Sequence, residues 1–160
     1  MEQTLQALFF QVLMKVEEKI HDLKFSWGLI GSMNHYIQGI DIIPKDIDLI
    51  TTREGVFAIS ECLKEFEIQK SEFLSQHSIR SYYGVFKVQE IRIEVMGEIE
   101  YLLADGHWHT HENWSENIIC VTLGDITIPC IALHYELAIY SKLGYTQRAA
   151  LIREKIEHTN

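Results

Sequence analysis

The chain has 160 residues, 47% hydrophobic and 23% charged. That is an ordinary balance for a soluble globular protein, with length enough to bury roughly 70% of the unfolded surface without disulfides or structural metals. The size predicts one domain over residues 1–160. The formal net charge of −9 argues against nucleic acid as a partner, since an acidic surface repels it unless a local basic patch intervenes. A free nucleoside triphosphate is less excluded, because Mg²⁺ masks much of its charge.

In chain order, residues ~3–24 predict an amphipathic helix, with Leu5, Leu8, Phe9, Val12, Leu13, Val16 and Ile20 at helical spacing. Phe25–Ile30 reads as a buried strand, and Ser32 opens a short helix over Met33–Ile40. Ile42–Lys45 is a connector, with Pro44 fixing entry to a strand over ~46–51. Glu54–Glu65 is helical, with Val56, Ile59, Leu63 and Phe66 on one face. Alternation predicts strands over ~66–75, ~79–88 and ~90–96, with a turn at Gln89-Glu90. Residues ~97–104 read equally as helix or loop. Strands follow over ~107–112 and ~117–122, and Gly124-Asp125 turns the chain into Ile126–Pro129. Helices over ~132–142 and ~146–157, broken at Gly144, close the chain. The expected class is α/β (α+β), a mixed sheet flanked by helices with a C-terminal helical pair.

Three cysteines, Cys62, Cys120 and Cys130, stand at irregular spacing. They form neither a disulfide framework nor a zinc cluster and read as buried thiols in a reducing compartment. The apolar stretch Ala7–Met14 lacks a basic leader and a cleavage site and is too short to span a bilayer. A cytoplasmic protein with no membrane contact is expected.

The chemistry concentrates in Gly31-Ser32 and Pro44-Lys45-Asp46-Ile47-Asp48-Leu49. On a strand, Asp46 and Asp48 share one face with Cα atoms about 7 Å apart. Ile47 and Leu49 point the other way, into a core. Paired carboxylates repel each other and lose solvation, a cost best offset by a cation. Such oxygen ligands suit Mg²⁺ together with phosphate oxygens. The Gly31-Ser32 pair can open a helix and offer backbone N–H groups to those phosphates. The alternatives are a solvated strand edge for the aspartates and an ordinary N-cap for Ser32.

The stretch Trp27–Ile50 resembles the nucleotidyltransferase superfamily, whose mark is an apolar strand, a Gly-Gly or Gly-Ser turn, a helix and an Asp-x-Asp strand. The small stand-alone bacterial lincosamide and aminoglycoside nucleotidyltransferases are the most similar type. The resemblance covers residues ~25–96 and implies a nucleotidyltransferase-like fold. It further implies transfer of a nucleoside monophosphate from a Mg-NTP, ATP among the candidates, to a hydroxyl of a small-molecule acceptor, with release of pyrophosphate. It implies a third carboxylate on a later strand. Glu94, in Ile91–Met96, is the candidate, departing from the commoner Asp. Asp46, Asp48 and Glu94 would then be the metal ligands for one or two Mg²⁺ ions and the catalytic residues, Glu94 as second-metal ligand or proton acceptor. Gly31 and Ser32 would hold the β- and γ-phosphates. Lys142 matches a helix that carries a phosphate-contacting lysine in some related transferases. A snorkelling surface lysine is its alternative.

Arg53, after the Asp-x-Asp strand, is a further candidate for phosphate, whereas Lys45 points to the opposite face. Glu94 shares its face with Arg92 and Glu90 and can instead simply pair there. His107, His109 and His111 would face one way on a strand, as a Zn²⁺ site requires, yet they would span about 13 Å, too far for one ion unless the strand bends. A polar sheet face and contact with a base or sugar are the other readings. His35 lies one turn into the phosphate helix, and His134 reads as a capping or core residue. Two other functions stay open: a non-catalytic nucleotide-binding or regulatory domain of the same fold, and a toxin-like transferase acting on protein or RNA. The apolar N-terminal helix offers a contact face for a homodimer.

Overall fold

The periodic stretch at the start folds as helix α1 (Glu2–Ile20) in a computed structural model that describes residues 2–159. Phe9, Val12, Leu13, Val16 and Ile20 form its buried stripe. Next come β1 (Trp27–Ile30), α2 (Gly31–Ile37), β2 (Ile47–Thr51) and α3 (Arg53–Cys62). The Thr52 hydroxyl caps α3 by accepting the Gly55 N–H. A meander of three long strands follows, β3 (Glu67–Gln76), β4 (Ile79–Val88) and β5 (Ile91–Leu102). Then come β6 (Trp108–Thr110), β7 (Ile118–Leu123), β8 (Ile126–Ile131), α4 (Leu133–Leu143) and α5 (Thr146–Thr159).

The strands make one mixed sheet in the order β3-β4-β5-β2-β1-β8-β7, with β6 added to the end of β5. β2 runs parallel to β5 and antiparallel to β1. Alternation along the strands separates the two faces. Leu29, Ile47, Leu49, Phe86, Ile93 and Val95 pack with α1 and α3 into the main core. The other face carries Asp48 and Glu94 and a smaller cluster of Ile30, Ile50, Ile99 and Ile131. The site therefore sits on the side of the central strands away from α1 and α3.

Several expected boundaries move. α2 begins at Gly31 and ends at Ile37, because Ile30 occupies the cap position and Gly39 turns the chain with a φ of +92°. Ser32 is thus inside the first turn and does not cap it. The segment ~97–104 is neither helix nor loop over most of its length, since β5 runs through it to Leu102. Tyr82 pairs with Gly97 and Arg80 with Glu100, so three steps on β5 match two on β4. This is a β-bulge, with Glu98 at a φ of +53°. It re-phases the alternation, so that Met96, Ile99 and Tyr101 join the same cluster. The expected strand at ~107–112 contracts to Trp108–Thr110. Among the cysteines only Cys130 is buried; Cys62 is half-buried and Cys120 is exposed on the edge strand β7. Among the described residues, no helix is long and apolar enough to cross a membrane.

Candidate active site

The short connector before β2 is tied to the Gly-Ser turn: the Lys45 N–H donates to the Ser32 hydroxyl at 3.0 Å. That contact sets the entry to β2. Asp46 lies one residue ahead of the strand, and Asp48 is its second residue. Parallel pairing puts Asp48 directly beside Glu94 on β5. As a result Asp46, Asp48 and Glu94 each offer a carboxylate oxygen within 4.8 Å of the others. Among the described residues this is the one group of three or more histidine, cysteine or acidic side chains so placed.

Crowding like charges sets their proton affinities apart. Burial, then the neighbouring Asp46 and Glu94, pushes the Asp48 carboxyl well above the usual carboxylate range. Asp46 is also raised, chiefly by burial. Burial pulls Glu94 in the same direction, but hydrogen bonds from Asp48, Tyr83 and Arg92 outweigh it and leave Glu94 lowered. The Tyr83 hydroxyl donates to Glu94 Oε1, and Arg92 Nη2 reaches the same oxygen at 3.3 Å. Oε2 carries neither bond. Arg92 therefore does pair with Glu94, whereas Glu90 turns away to Lys87. Tyr83 is pushed up to about 12 by burial and by Glu94, so it stays a donor at neutral pH. Although part of Asp48 reaches solvent, its Oδ1 is sealed and has no hydrogen-bond partner. A buried carboxylate oxygen left this way is costly. The all-oxygen donor set and the orphaned atom both fit a hard divalent cation.

Gly31 lies directly on this cluster. Its φ is +73°, and a Cβ there would fall 2.6 Å from Asp48 Oδ2, so only glycine lets the turn approach. Its N–H does not face open space, however. It donates to Glu136 Oε1 at 2.9 Å, so the N–H expected to meet a phosphate is engaged within the protein in this structure. Glu136 is buried on α4, and its Oε2 accepts from Asn34 Nδ2 at 2.8 Å and His35 Nε2 at 2.7 Å. Asn34 Nδ2 and Gln38 Nε2 both reach the Ile131 carbonyl, each at 2.9 Å. His35 thus belongs to the clamp that holds α2 on α4.

A cleft of about 580 Å³ opens beside Gly31 and Asp48, walled by Tyr101, Tyr140, Tyr145 and Arg148. Arg148, in the first turn of α5, is the cation the structure brings here, and its charge acts on Asp46. Arg53 does not come to the cluster: its guanidinium lies 5.0 Å from the Tyr82 ring. Tyr82 is adjacent to Tyr83 on β4 and points to the opposite face, where it packs on Phe57 of α3. Lys142 does not line the cleft, and its Nζ is 3.4 Å from His109 Nε2.

The three histidines of the 107–111 run diverge. His107 is exposed and paired with Asp105 at 3.4 Å. His109 meets Lys142. His111 is buried and stacked on Tyr135, and burial pushes it down to about 4. They form no zinc site, because the strand there is three residues long and the chain turns away at each end. His134 is exposed and bonds Asn117, so it is not a core residue.

Sequence reading missed Glu136 and Arg148. Glu136 had a signal, as it falls with Leu133 and Tyr140 on the stripe of α4 that should be apolar. Arg148 had none: it is one exposed arginine at a helix start.

Comparison with known proteins agrees with this geometry. The sequence model for aminoglycoside-2''-adenylyltransferase matches residues 12–157. No curated protein matches the chain. A Thermotoga maritima structure described as a candidate nucleotidyltransferase is 29% identical, with a TM-score of 0.82 and 96% of each chain covered. The lincomycin-bound lincosamide antibiotic adenylyltransferase LnuA is 17% identical, TM-score 0.54, covering 92% of this chain and 95% of that one. ANT(2'')-Ia with adenylyl-2''-tobramycin is 8% identical, TM-score 0.57, covering 91% and 88%. These last two share the fold. With the family match running over most of its length, this chain belongs to the aminoglycoside-2''-adenylyltransferase family.

Proposed function

We propose that the protein transfers a nucleoside monophosphate from a Mg-NTP to a hydroxyl of a small-molecule acceptor and releases pyrophosphate. The observation that carries this reading is the convergence of Asp46, Asp48 and Glu94, with Asp48 Oδ1 sealed and unpartnered. These three carboxylates would hold Mg²⁺, which when bound neutralises phosphate charge. Asp46 and Asp48 would orient the triphosphate for attack. The acceptor oxygen bonds to the α-phosphorus, the bond to the α–β bridging oxygen breaks, and pyrophosphate leaves with the electron pair. Glu94, kept ionised by Tyr83 and Arg92, takes the proton of the attacking hydroxyl. Gly31 gives the backbone close approach, while Ser32 fixes the turn through Lys45. Arg148 supplies the positive charge at the cleft wall, in the role the sequence suggested for Arg53 and Lys142. Little covalent chemistry falls to the protein, whose contribution is positioning and charge.

Isothermal titration with Mg-ATP and Mg-GTP tests this. Wild-type protein is expected to bind in a Mg²⁺-dependent way, and the Asp46→Asn/Asp48→Asn double variant is expected to lose that binding. Wild-type protein that binds neither nucleotide would overturn the reading. Binding without pyrophosphate release across an acceptor panel would favour a non-catalytic nucleotide-binding domain.

A further inference from the structure

The acidic cluster borders a second cavity. It holds about 250 Å³ and is lined by Leu74, Gln76, Ser81, Tyr83, Glu94 and Met96. These residues stand on β3, β4 and β5, on the sheet face away from α1 and α3. Ile79 belongs to the walls of both this cavity and the larger cleft, so the two meet at a shared rim. The larger cleft contains Asp48, Gly31 and Arg148 but not Glu94. The smaller one contains Glu94 but neither Arg148 nor Gly31.

In-line displacement needs the attacking and leaving oxygens on opposite sides of the phosphorus. The wall that carries Arg148 suits the departing pyrophosphate, since Arg92, the cation on the other side, is already paired with Glu94. The wall that carries the proton-accepting carboxylate suits the attacking hydroxyl. We propose, on the nucleotidyltransferase reading above, that the smaller cavity is the acceptor subsite and takes a hydroxyl on a compact, apolar-flanked body, not a polyammonium sugar.

The lining decides the chemistry. Leu74, Ile79 and Met96 give an apolar wall, and Met96 adapts to shape. Gln76, Ser81 and Tyr83 are polar but uncharged. Glu94 is the one charged side chain in the lining, and it is already paired with Tyr83 and Arg92. An acceptor with several ammonium groups would find no further carboxylate here, and a desolvated cation without a partner is costly. The volume lies just below the usual range for drug-sized ligand sites, about 300–1,000 Å³, so the acceptor or its reacting ring is small.

Saturation-transfer NMR tests the assignment on protein loaded with Mg²⁺ and a non-hydrolysable NTP analogue. The probes are phenyl β-D-glucopyranoside and the polyammonium sugar kanamycin. Wild-type protein is expected to saturate the phenyl protons. Met96→Trp and Leu74→Trp fill the cavity from two strands, and either one that folds is expected to weaken that signal at least tenfold. Kanamycin is expected to give no signal sensitive to these substitutions. Absence of phenyl signal in the wild type, its survival in the variants, or a variant-sensitive kanamycin signal would each overturn the assignment. Calorimetry with Mg-NTP on the same samples separates the two readings. Wild-type protein without NTP binding sinks the transferase reading itself, whereas NTP binding without a cavity-dependent acceptor signal sinks only this one.

Discussion

At Asp48 a carboxylate is held where it is hardest to ionise, beside two others and with one oxygen sealed from any partner. A divalent ion must displace its proton. Binding of Mn²⁺ or Mg²⁺ is therefore expected to release protons and to weaken as pH falls through the raised Asp48 value. Calorimetry in two buffers of different ionisation enthalpy reads the proton count directly, and a count that stays at zero as pH is lowered until metal binding is lost would remove Asp48 as a ligand. The same shift has a sign for stability. The folded chain holds a proton on Asp48 that the unfolded chain has lost, so this stabilising contribution is present at low pH and disappears as pH rises through the folded value. Asp48→Asn removes the strain and is expected to raise the metal-free melting temperature at neutral pH by about 2–4 °C, equivalent to about 1 kcal/mol. Thermal melts in chelator measure it, and added Mg²⁺ should stabilise only the wild type. Glu94→Gln keeps the shape but cannot accept the proton. It is expected to cut turnover by about 10²-fold or more while Asp46 and Asp48 still support Mg²⁺-dependent NTP binding, weakened but measurable by titration. Glu94 itself was legible only through family resemblance, because nothing in Ile91–Met96 says which strand lies alongside. The parallel β2–β5 register supplies that.

Between elements, the decisive join is α4 on α2. Glu136 offers two oxygens to three N–H groups, from Gly31, Asn34 and His35, in a buried place. A carboxylate satisfies all three as an acceptor, whereas an amide brings its own donor. Glu136→Gln sets an NH₂ against one of those groups, and a buried polar group left unpaired costs about 1–3 kcal/mol. Since Gly31 rests on Asp48, the disturbance should reach the nucleotide site. Mg-NTP affinity is expected to fall about tenfold, or about 1.4 kcal/mol, while Arg148 and the carboxylates are unaltered. If titration shows unchanged affinity and only a lower melting temperature, Glu136 merely holds the fold. Most element types were legible because local signals agree with the fold. The Gln89-Glu90 hairpin has both residues at positive φ, and Gly144 ends α4 in the left-handed region. The miss at ~97–104 has one cause. The bulge at Glu98 inserts an extra residue, and a strict two-residue period cannot survive that.

Over the whole molecule, long-range charge bears on which acceptor reaches the site. Strand order was not readable from the chain, because β5 pairs β2 and β8 pairs β1 across large sequence separations. Net charge was readable, since it needs no fold. At −9 the surface repels a polyanion, and nucleic-acid affinity rests on phosphate neutralisation by Lys and Arg. Arg148 and Arg92 stand on opposite sides of the acidic cluster, one at the cleft and the other on Glu94. Two separated cations beside three carboxylates form no track along an RNA backbone. A fluorescent RNA of ~20 nucleotides is therefore expected to show no saturable binding up to ~10 µM protein in ~50 mM monovalent salt, where non-specific nucleic-acid binders gain most affinity. Mg-NTP should not change this, because it adds negative charge to the same cleft. Anisotropy titration is the measurement. A micromolar Kd that weakens steeply with salt would mean that the surface carries a basic path, and an RNA end would then displace the small hydroxyl compound as acceptor.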